Sequence, residues 1–174
     1  MNHLVRFFVI IFIILYSSNS YSESKLAFID MQKIMLQSKA GKSITVQLEK
    51  LHKSNIAKFK QKEEELKSKE TSLISQKNVM NQEEFEKKIN LLREEANKYR
   101  IERRDKINSL TTKRVDGTNK LIKAIHPILA DYSKKNSISM IFQKKNIIIG
   151  KTELEITDNI LEILDKNLKQ IDIN

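Results

Sequence analysis

The residues best suited to phosphate chemistry form a Gly-Lys-Ser run at positions 41 to 43. A P-loop requires the pattern G-x-x-x-x-G-K-[ST], because its glycines let the backbone fold tightly around phosphate groups. Counting back from Gly41, the first glycine of that pattern would stand at position 36, which is occupied by Leu36. The four residues between them contain no further glycine. We therefore predict that the run SKAGKS is helical and binds no nucleotide.

Catalytic and metal-binding patterns are absent from the rest of the sequence. His52 and His126 are far apart, and neither has a partner at metal-ligand spacing. Glu63, Glu64 and Glu65 would point to different faces of a helix, so they do not jointly hold one ion. The serines do not fall in a G-x-S-x-G pattern. We predict a protein that is not an enzyme and uses no cofactor or metal.

The N-terminus has the layout of a secretory signal peptide. Arg6 supplies a positive charge, residues 7–16 form an unbroken apolar run, and a polar stretch follows. The apolar run is too short to span a hydrocarbon core, which needs about 20 residues. We predict a signal peptide over residues 1–22, cut after Ser22 or after Ser20. An uncleaved anchor is the alternative.

Composition places the exported chain, residues 23–174, among single-domain helical proteins. The sequence has no cysteine, so no disulfide scaffold holds it together outside the cytoplasm. Three glycines, one proline and 31% charged residues favour long helices over a turn-rich β fold.

The excess positive charge is confined to the middle of the chain. Residues 42–135 contain 23 Lys and Arg against 14 Asp and Glu, whereas residues 23–41 and 136–174 together contain equal numbers of each sign. A surface of this kind attracts anionic partners by long-range electrostatic steering.

The order of helix breakers predicts a long helical hairpin. Residues 25–30, KLAFID, read as a strand that leads into a helix. No proline occurs from Met31 until Pro127, and an Asn- and Gln-rich turn at 76–82 divides this stretch. After the turn, an a/d seam is formed by Phe85, Ile89, Leu92, Ala96 and Tyr99. Before the turn, apolar residues recur every seven positions with polar companions, as Phe59, Leu66, Leu73 and Met80.

The remainder of the chain has the pattern of a buried body. A broad apolar face covers 121–129, where Pro127 is expected to kink or end the helix. Strands are predicted at 138–142 and 147–149, and Thr157 is the predicted N-cap of a last helix. About three short strands are marginal for a stable sheet, so we expect an oligomer that shares strands between subunits.

With its elements in this order, the chain resembles the Skp (OmpH-type) family of periplasmic chaperones. Residues 25–51, KLAFIDMQKIMLQSKAGKSITVQLEKL, are similar to the family's N-terminal strand, polar cap and helix with S-x-A-G-K and a later Leu-Glu. Residues 138–142, the run Glu155-Ile156-Thr157 and the following helix are similar to its closing strands and helix. The resemblance covers the exported chain in order and length, while the arms match in character only.

The resemblance implies a mainly α fold with a small β body and a long antiparallel helical-hairpin (coiled-coil) arm. The body would comprise residues 23–41 and 118–174, and the arm about 42–117 with its tip near 76–82. It also implies a homotrimer with a small central barrel of strands. Seven residues are expected near its centre: Leu26, Phe28, Ile138, Met140, Phe142, Ile147 and Ile149.

The function implied is an ATP-independent periplasmic holdase, which keeps unfolded outer-membrane β-barrel proteins between its arms until membrane insertion. Client binding is expected to be collective, through Lys58, Lys60, Lys62, Lys67, Lys69, Lys77, Lys87, Lys88, Arg93, Lys98 and Arg100. Lipopolysaccharide or an anionic membrane surface stays open as a further partner.

Two alternatives belong to other classes of protein. A basic coiled coil binds nucleic acid with strong salt dependence, although the signal peptide and the lack of any DNA- or RNA-recognition signature argue against that role. An envelope spacer anchored by an uncleaved signal is the second alternative. The mature N-terminus distinguishes it from an exported chaperone.

Overall fold

The chain runs out along one long helix and returns along another. The computed structural model describes residues 24–173, so the predicted signal peptide at 1–22 lies outside the described residues. Strand β1 (Lys25–Ile29) leads into helices α1 (Met31–Gln37) and α2 (Lys39–Ser75). After a turn, helix α3 (Gln82–Asn136) leads back to strand β2 (Ile138–Gln143) and helix α4 (Thr157–Asn167). Two single 3-10 turns, Lys144–Asn146 and Thr152–Leu154, lie between β2 and α4.

The hairpin and its turn agree with the sequence prediction. Helix α2 ends at Ser75, and Asn81 is the N-cap of α3, where its side chain accepts a hydrogen bond from the Glu84 amide at 2.8 Å. Glu83 and Glu84 lie in the first turn of α3, where negative charge interacts favourably with the helix dipole. The predicted fold class, mainly helical with a small strand-containing body, is confirmed.

The SKAGKS run contains a helix break that the sequence analysis did not predict. Ser38 is extended (φ −64°, ψ 152°), and its hydroxyl caps α2 by accepting from the Gly41 amide at 3.0 Å. A Cβ at Gly41 would lie 2.0 Å from the carbonyl oxygen of Met35. The glycine therefore permits close packing of α2 on the end of α1, and the prediction that the whole run is helical was wrong at Ser38.

The β body is a two-stranded parallel sheet. In its register, Leu26 pairs with Met140, and Phe28 pairs with Phe142. The other edge of β1 is used as well, because the Ile156 amide donates to the Phe28 carbonyl at 3.0 Å and Glu155 forms an isolated bridge with Phe28.

The predicted strand at 147–149 is wrong. In the described residues, the 3-10 turn at 144–146 is followed by a bend at 148–149, which leaves Ile148 and Ile149 exposed. Residues 147–149 pair with neither strand of the sheet, and the second edge of β1 is occupied by Glu155 and Ile156.

Two further details near the C-terminal end differ from the sequence prediction. Thr157 is not an N-cap, because α4 begins at this residue; its buried hydroxyl accepts from the Asp30 amide at 2.9 Å and donates to Glu155 at 2.8 Å. Pro127 does not end a helix, since α3 continues through it to Asn136.

The core joins the sheet, the bases of α2 and α3, and α4. It is completed by a segment beyond α4, in which Ile171 and Ile173 are buried. The buried core residues are Ala27, Ile29, Ile34, Ala40, Ile44, Leu48, Leu121, Ile125, Ile156, Ile160, Leu164, Ile171 and Ile173.

Candidate functional site

The middle of the arm is held together by ion pairs across the seam. The Glu95 carboxylate of α3 accepts hydrogen bonds from Lys62 at 2.6 Å and from Lys69 at 2.8 Å, both on α2. Glu65 lies between the two lysines and pairs with each of them. The hydrogen bond from Lys62, and then that from Lys69, lowers the pKa of Glu95 to about 2. These polar seam positions are therefore satisfied by charge pairing.

A second polar contact, at Glu63, lies next to this cluster on the side of the arm that faces the body. The Tyr99 hydroxyl donates to Glu63 at 2.6 Å, and Arg103 pairs with the same carboxylate at 3.2 Å. The Tyr99 ring meets Phe59 edge-on at 6.3 Å, while the Arg103 guanidinium lies 5.6 Å from the centre of the Phe59 ring. Burial, and then the hydrogen bond to Glu63, raises the pKa of Tyr99.

The seam opens between this contact and the body. The residues of α3 from 100 to 109 are exposed, and Leu110 is the next partly buried position. A cavity of ≈ 770 Å³ lies here between the helices. Its lining combines apolar residues such as Ile44, Leu48 and Leu110 with polar ones such as Thr111 and Arg114. The apolar seam that runs from Phe85 to Tyr99 therefore does not continue over this part of the arm.

The predicted basic site residues fall into three groups. Lys62 and Lys69 are held by the seam ion pairs. Contacts within one helix or near the tip involve Lys60 with Glu64, Lys88 with Glu84, Arg93 with Asn90, and Lys77 over the Phe85 ring. The remaining five predicted residues are exposed and form no ion pair or side-chain hydrogen bond with the described residues. We call them the open cations: Lys58, Lys67, Lys87, Lys98 and Arg100.

Exposed apolar side chains near the tip were not identified from the sequence. Ile74, Val79 and Leu91 are all more than half exposed. Leu91 also lines a groove of ≈ 460 Å³ with Leu73 and the stem of Lys69. The sequence could have identified Leu91, because it is an apolar residue that directly precedes the seam residue Leu92 and so lies outside the seam.

The seven residues predicted for an assembly interface differ in how exposed they are within the single chain. Phe28 is buried within the chain, where its ring lies beside Gly150. Ile138 and Ile147 are half-buried. The exposed members of the set are Leu26, Met140, Phe142 and Ile149.

The histidine and glutamate positions considered for chemistry do not converge. No group of three or more metal-ligating side chains is found among residues 24–173. Within that same range, no helix is long and apolar enough to cross a membrane. Ser43 of the Gly-Lys-Ser run donates to the Ala40 carbonyl at 2.8 Å, so its hydroxyl serves the protein's own backbone.

Comparison with known proteins relates this chain to OmpH-like proteins. Residues 25–164 match the family described as outer membrane protein (OmpH-like). The Skp-like protein of Pseudomonas aeruginosa is 22% identical over 166 residues, which cover 95% of this chain and 99% of that protein. A crystal structure described as a candidate outer membrane chaperone (OmpH-like) from Caulobacter crescentus superposes with a TM-score of 0.81 at 13% identity, over 86% of this chain and 88% of that one.

Proposed function

We propose that this chain, which belongs to the OmpH-like family, is an ATP-independent periplasmic chaperone that holds unfolded outer-membrane β-barrel proteins against its basic arm. Family membership supports a chaperone role. One observation supports the proposal that the arm holds unfolded outer-membrane proteins. The open cations and the exposed apolar residues Ile74, Val79 and Leu91 all lie on the arm, outside the core. The Gly41 amide of the Gly-Lys-Ser run donates to the capping Ser38 hydroxyl as part of a helix start, which supports action without ATP.

Client capture in this proposal has two stages. The open cations raise the encounter rate with acidic unfolded chains, since a concentrated positive field steers association. Exposed apolar residues near the tip then bury apolar client surface, which provides most of the affinity. Single exposed cations contribute little, so the electrostatic effect is collective.

The functional unit we propose is a homotrimer. Leu26, Met140 and Phe142 form an apolar sheet face that this chain leaves exposed, and Ile149 is exposed beside it. A two-stranded sheet is marginal alone and gains stability when further strands or chains cover it. Three arms around such a centre would enclose a cavity for one client. Anionic surfaces such as lipopolysaccharide would be attracted by the same arm cations.

An aggregation assay tests the proposed function. An unfolded outer-membrane β-barrel protein is diluted from urea into buffer without ATP, and light scattering is followed with and without the purified chain. We expect scattering to be suppressed at a stoichiometry of about one trimer per client, and added ATP to change nothing. Aggregation at the rate seen without the chain would contradict the proposal.

A further inference from the structure

Residues 168–173 cross both helices of the hairpin at its base. Helix α4 ends at Asn167, and Leu168 is extended (φ −140°, ψ 109°). Ile171 and Ile173 are buried, whereas Asp172 between them is exposed. This alternation is that of a β-strand lying on a surface. We call the surface beneath it the base strip, which consists of Ser43, Ile44 and Gln47 on α2 and Lys113, Gly117 and Lys120 on α3.

The base strip binds this segment through main-chain atoms. The Ile171 amide donates to the Ser43 hydroxyl at 3.0 Å, and the Gln47 side-chain amide donates to the Ile171 carbonyl at 2.7 Å. Gln47 also accepts from the Ile173 amide at 3.3 Å. Lys113 and Lys120 donate to the carbonyls of Ile173 and Asp172 at 3.1 and 2.6 Å. Main-chain groups are common to all residues, so these contacts do not depend on a particular sequence.

The apolar part of the base strip selects side chains two residues apart. A Cβ at Gly117 would lie 2.9 Å from the Ile173 side chain and 3.0 Å from Ile44, so the missing side chain at Gly117 makes the space that Ile173 fills. Ile171 and Ile173 are both part of the buried core cluster. The strip therefore combines sequence-independent hydrogen bonds with places for alternate apolar residues, as in recognition by strand addition.

We propose that the base strip is a binding site for extended client segments with apolar residues at alternate positions, and that residues 168–173 occupy it until a captured client displaces them. This inference rests on the proposed function. Strands of outer-membrane β-barrels alternate apolar and polar residues, so they carry the pattern that the strip accepts. The family match ends at residue 164, so the occupying segment lies beyond the matched residues.

Competition within one molecule explains why capture comes first. A segment linked to its own site acts at an effective concentration of the order of mM, so a client free in solution at micromolar concentration does not displace it. A client already held by the arms also acts at about mM local concentration. The two segments then compete for the base strip at similar local concentrations, so a captured client segment of the right pattern is able to replace residues 168–173.

A peptide-binding experiment tests the site directly. The double substitution Ile171→Ser/Ile173→Ser releases the segment, and the probe is a fluorescent peptide with the sequence of residues 167–174, NLKQIDIN. We expect the peptide to bind this variant at least about tenfold more tightly than the wild type, whose strip is occupied. The control peptide NLKQDIIN has the same composition with adjacent isoleucines and should bind weakly. Equal binding of both peptides, or of the probe to both proteins, overturns the proposal.

A further substitution identifies the strip as the receptor. Adding Gly117→Leu to the double variant fills the space of Ile173 and should abolish peptide binding. Undiminished binding would place the peptide elsewhere and overturn the proposal.

Hydrogen exchange on the wild type needs no substitution, so it tests displacement of residues 168–173 even if the double variant does not fold. On addition of an unfolded outer-membrane protein, the Ile171 and Ile173 amides should exchange at least about fivefold faster, because their hydrogen bonds to Ser43 and Gln47 are broken. Unchanged exchange with aggregation still suppressed overturns this inference and leaves the proposed function standing. Unsuppressed aggregation overturns both.

Discussion

The carboxylate of Glu95 lies 2.6 Å from the ammonium group of Lys62, on the opposite helix of the arm. The same carboxylate also binds Lys69, which follows Lys62 by two helical turns on α2. One acidic residue of α3 therefore fixes two lysines of α2 and sets the register of the helices where the apolar seam is thin. Since the pKa of Glu95 is lowered to about 2, chiefly by the Lys62 hydrogen bond, this contact persists to low pH.

We expect Glu95 to make the arm sensitive to acid. Its pKa in the folded state, about 2, is below the ordinary value of 4.5, so its stabilisation is fully present above pH 4.5 and is lost as pH falls towards 2. The substitution Glu95→Gln should lower the thermal midpoint at pH 7 by on the order of a few degrees, since the pair is partly exposed to solvent. It should also reduce the fall in midpoint between pH 4.5 and pH 2, measured by circular dichroism.

Glu94→Gln is the matched control for this prediction. Glu94 is the exposed neighbour of Glu95 and forms no ion pair with the described residues, and the substitution removes the same charge. Its thermal midpoint and pH dependence should match the wild type. Equal effects of the two substitutions would show that net charge matters and that the Lys62 contact does not.

Replacing the two helical glycines by alanine should have unequal costs. A Cβ at Gly41 meets the Met35 backbone at 2.0 Å, and a backbone carbonyl moves only if the α1–α2 junction moves. A Cβ at Gly117 meets side-chain methyl groups at 2.9 and 3.0 Å. We expect Gly41→Ala to lower the free energy of unfolding by about 3 kcal/mol. Gly117→Ala should cost less than about 1 kcal/mol, because alanine's higher helix propensity offsets part of the clash.

Urea denaturation with a shared m-value measures both costs. The two variants control for each other, since each exchanges a buried helical glycine for alanine. A Gly117→Ala variant as unstable as Gly41→Ala would mean that the segment carrying Ile173 is as rigid as the α1–α2 junction.

The hairpin was predictable from the sequence because its signals are local. The absence of breakers, the Asn- and Gln-rich turn at 76–82 and the seam from Phe85 to Tyr99 each depend on residues within a few turns of helix. Strand β1 was also predicted correctly at 25–29, since a short apolar run before a capping Asp30 is read without knowledge of its partners.

The features that sequence reasoning missed depend on contacts between distant segments. Glu155 pairs with Phe28 at the second edge of β1, a contact between residues more than a hundred positions apart, and the predicted strand at 147–149 does not form. Lys62 and Lys69 were expected to be available to clients, and only the helix register reveals their partner Glu95. Similarly, the polar sequence around Ile171 gives no sign of the strip that buries it.

Substituting the two sheet phenylalanines by aspartate should separate an effect on folding from an effect on assembly. Phe28 is 7% exposed and Phe142 is 43% exposed. Phe28→Asp would bury an unpaired charge at a cost of several kcal/mol and should give an unfolded chain. Phe142→Asp should keep the helical circular dichroism signal but yield monomers, measured by light scattering after gel filtration.

Lys151→Asp is the control for the assembly prediction, because it introduces the same side chain at an exposed body position. It should form the same oligomer as the wild type. A wild-type chain that is a well-folded monomer at micromolar concentration would contradict the proposed trimer, as would an unchanged oligomer for Phe142→Asp.

Reversing the five open cations to glutamate should slow client capture. Lys58, Lys67, Lys87, Lys98 and Arg100 make no contact that holds the hairpin together, so the helical content should be retained. The capture rate, followed by stopped-flow fluorescence with an acidic unfolded client, should fall at least about tenfold at low salt. The difference from the wild type should shrink towards 0.15 M salt and above, where the screening length is about 8 Å or less.

Reversal of five exposed body lysines provides the matched control for charge. These are Lys25, Lys134, Lys145, Lys151 and Lys169. Both variants have the same net charge, but only the arm variant loses the concentrated field, so the body variant should capture clients close to the wild-type rate. Equal slowing in both variants would mean that total charge governs encounter. Wild-type capture by the arm variant at low salt would leave the apolar residues Ile74, Val79 and Leu91 as the source of binding, with the arms serving as spacers that shape a cavity.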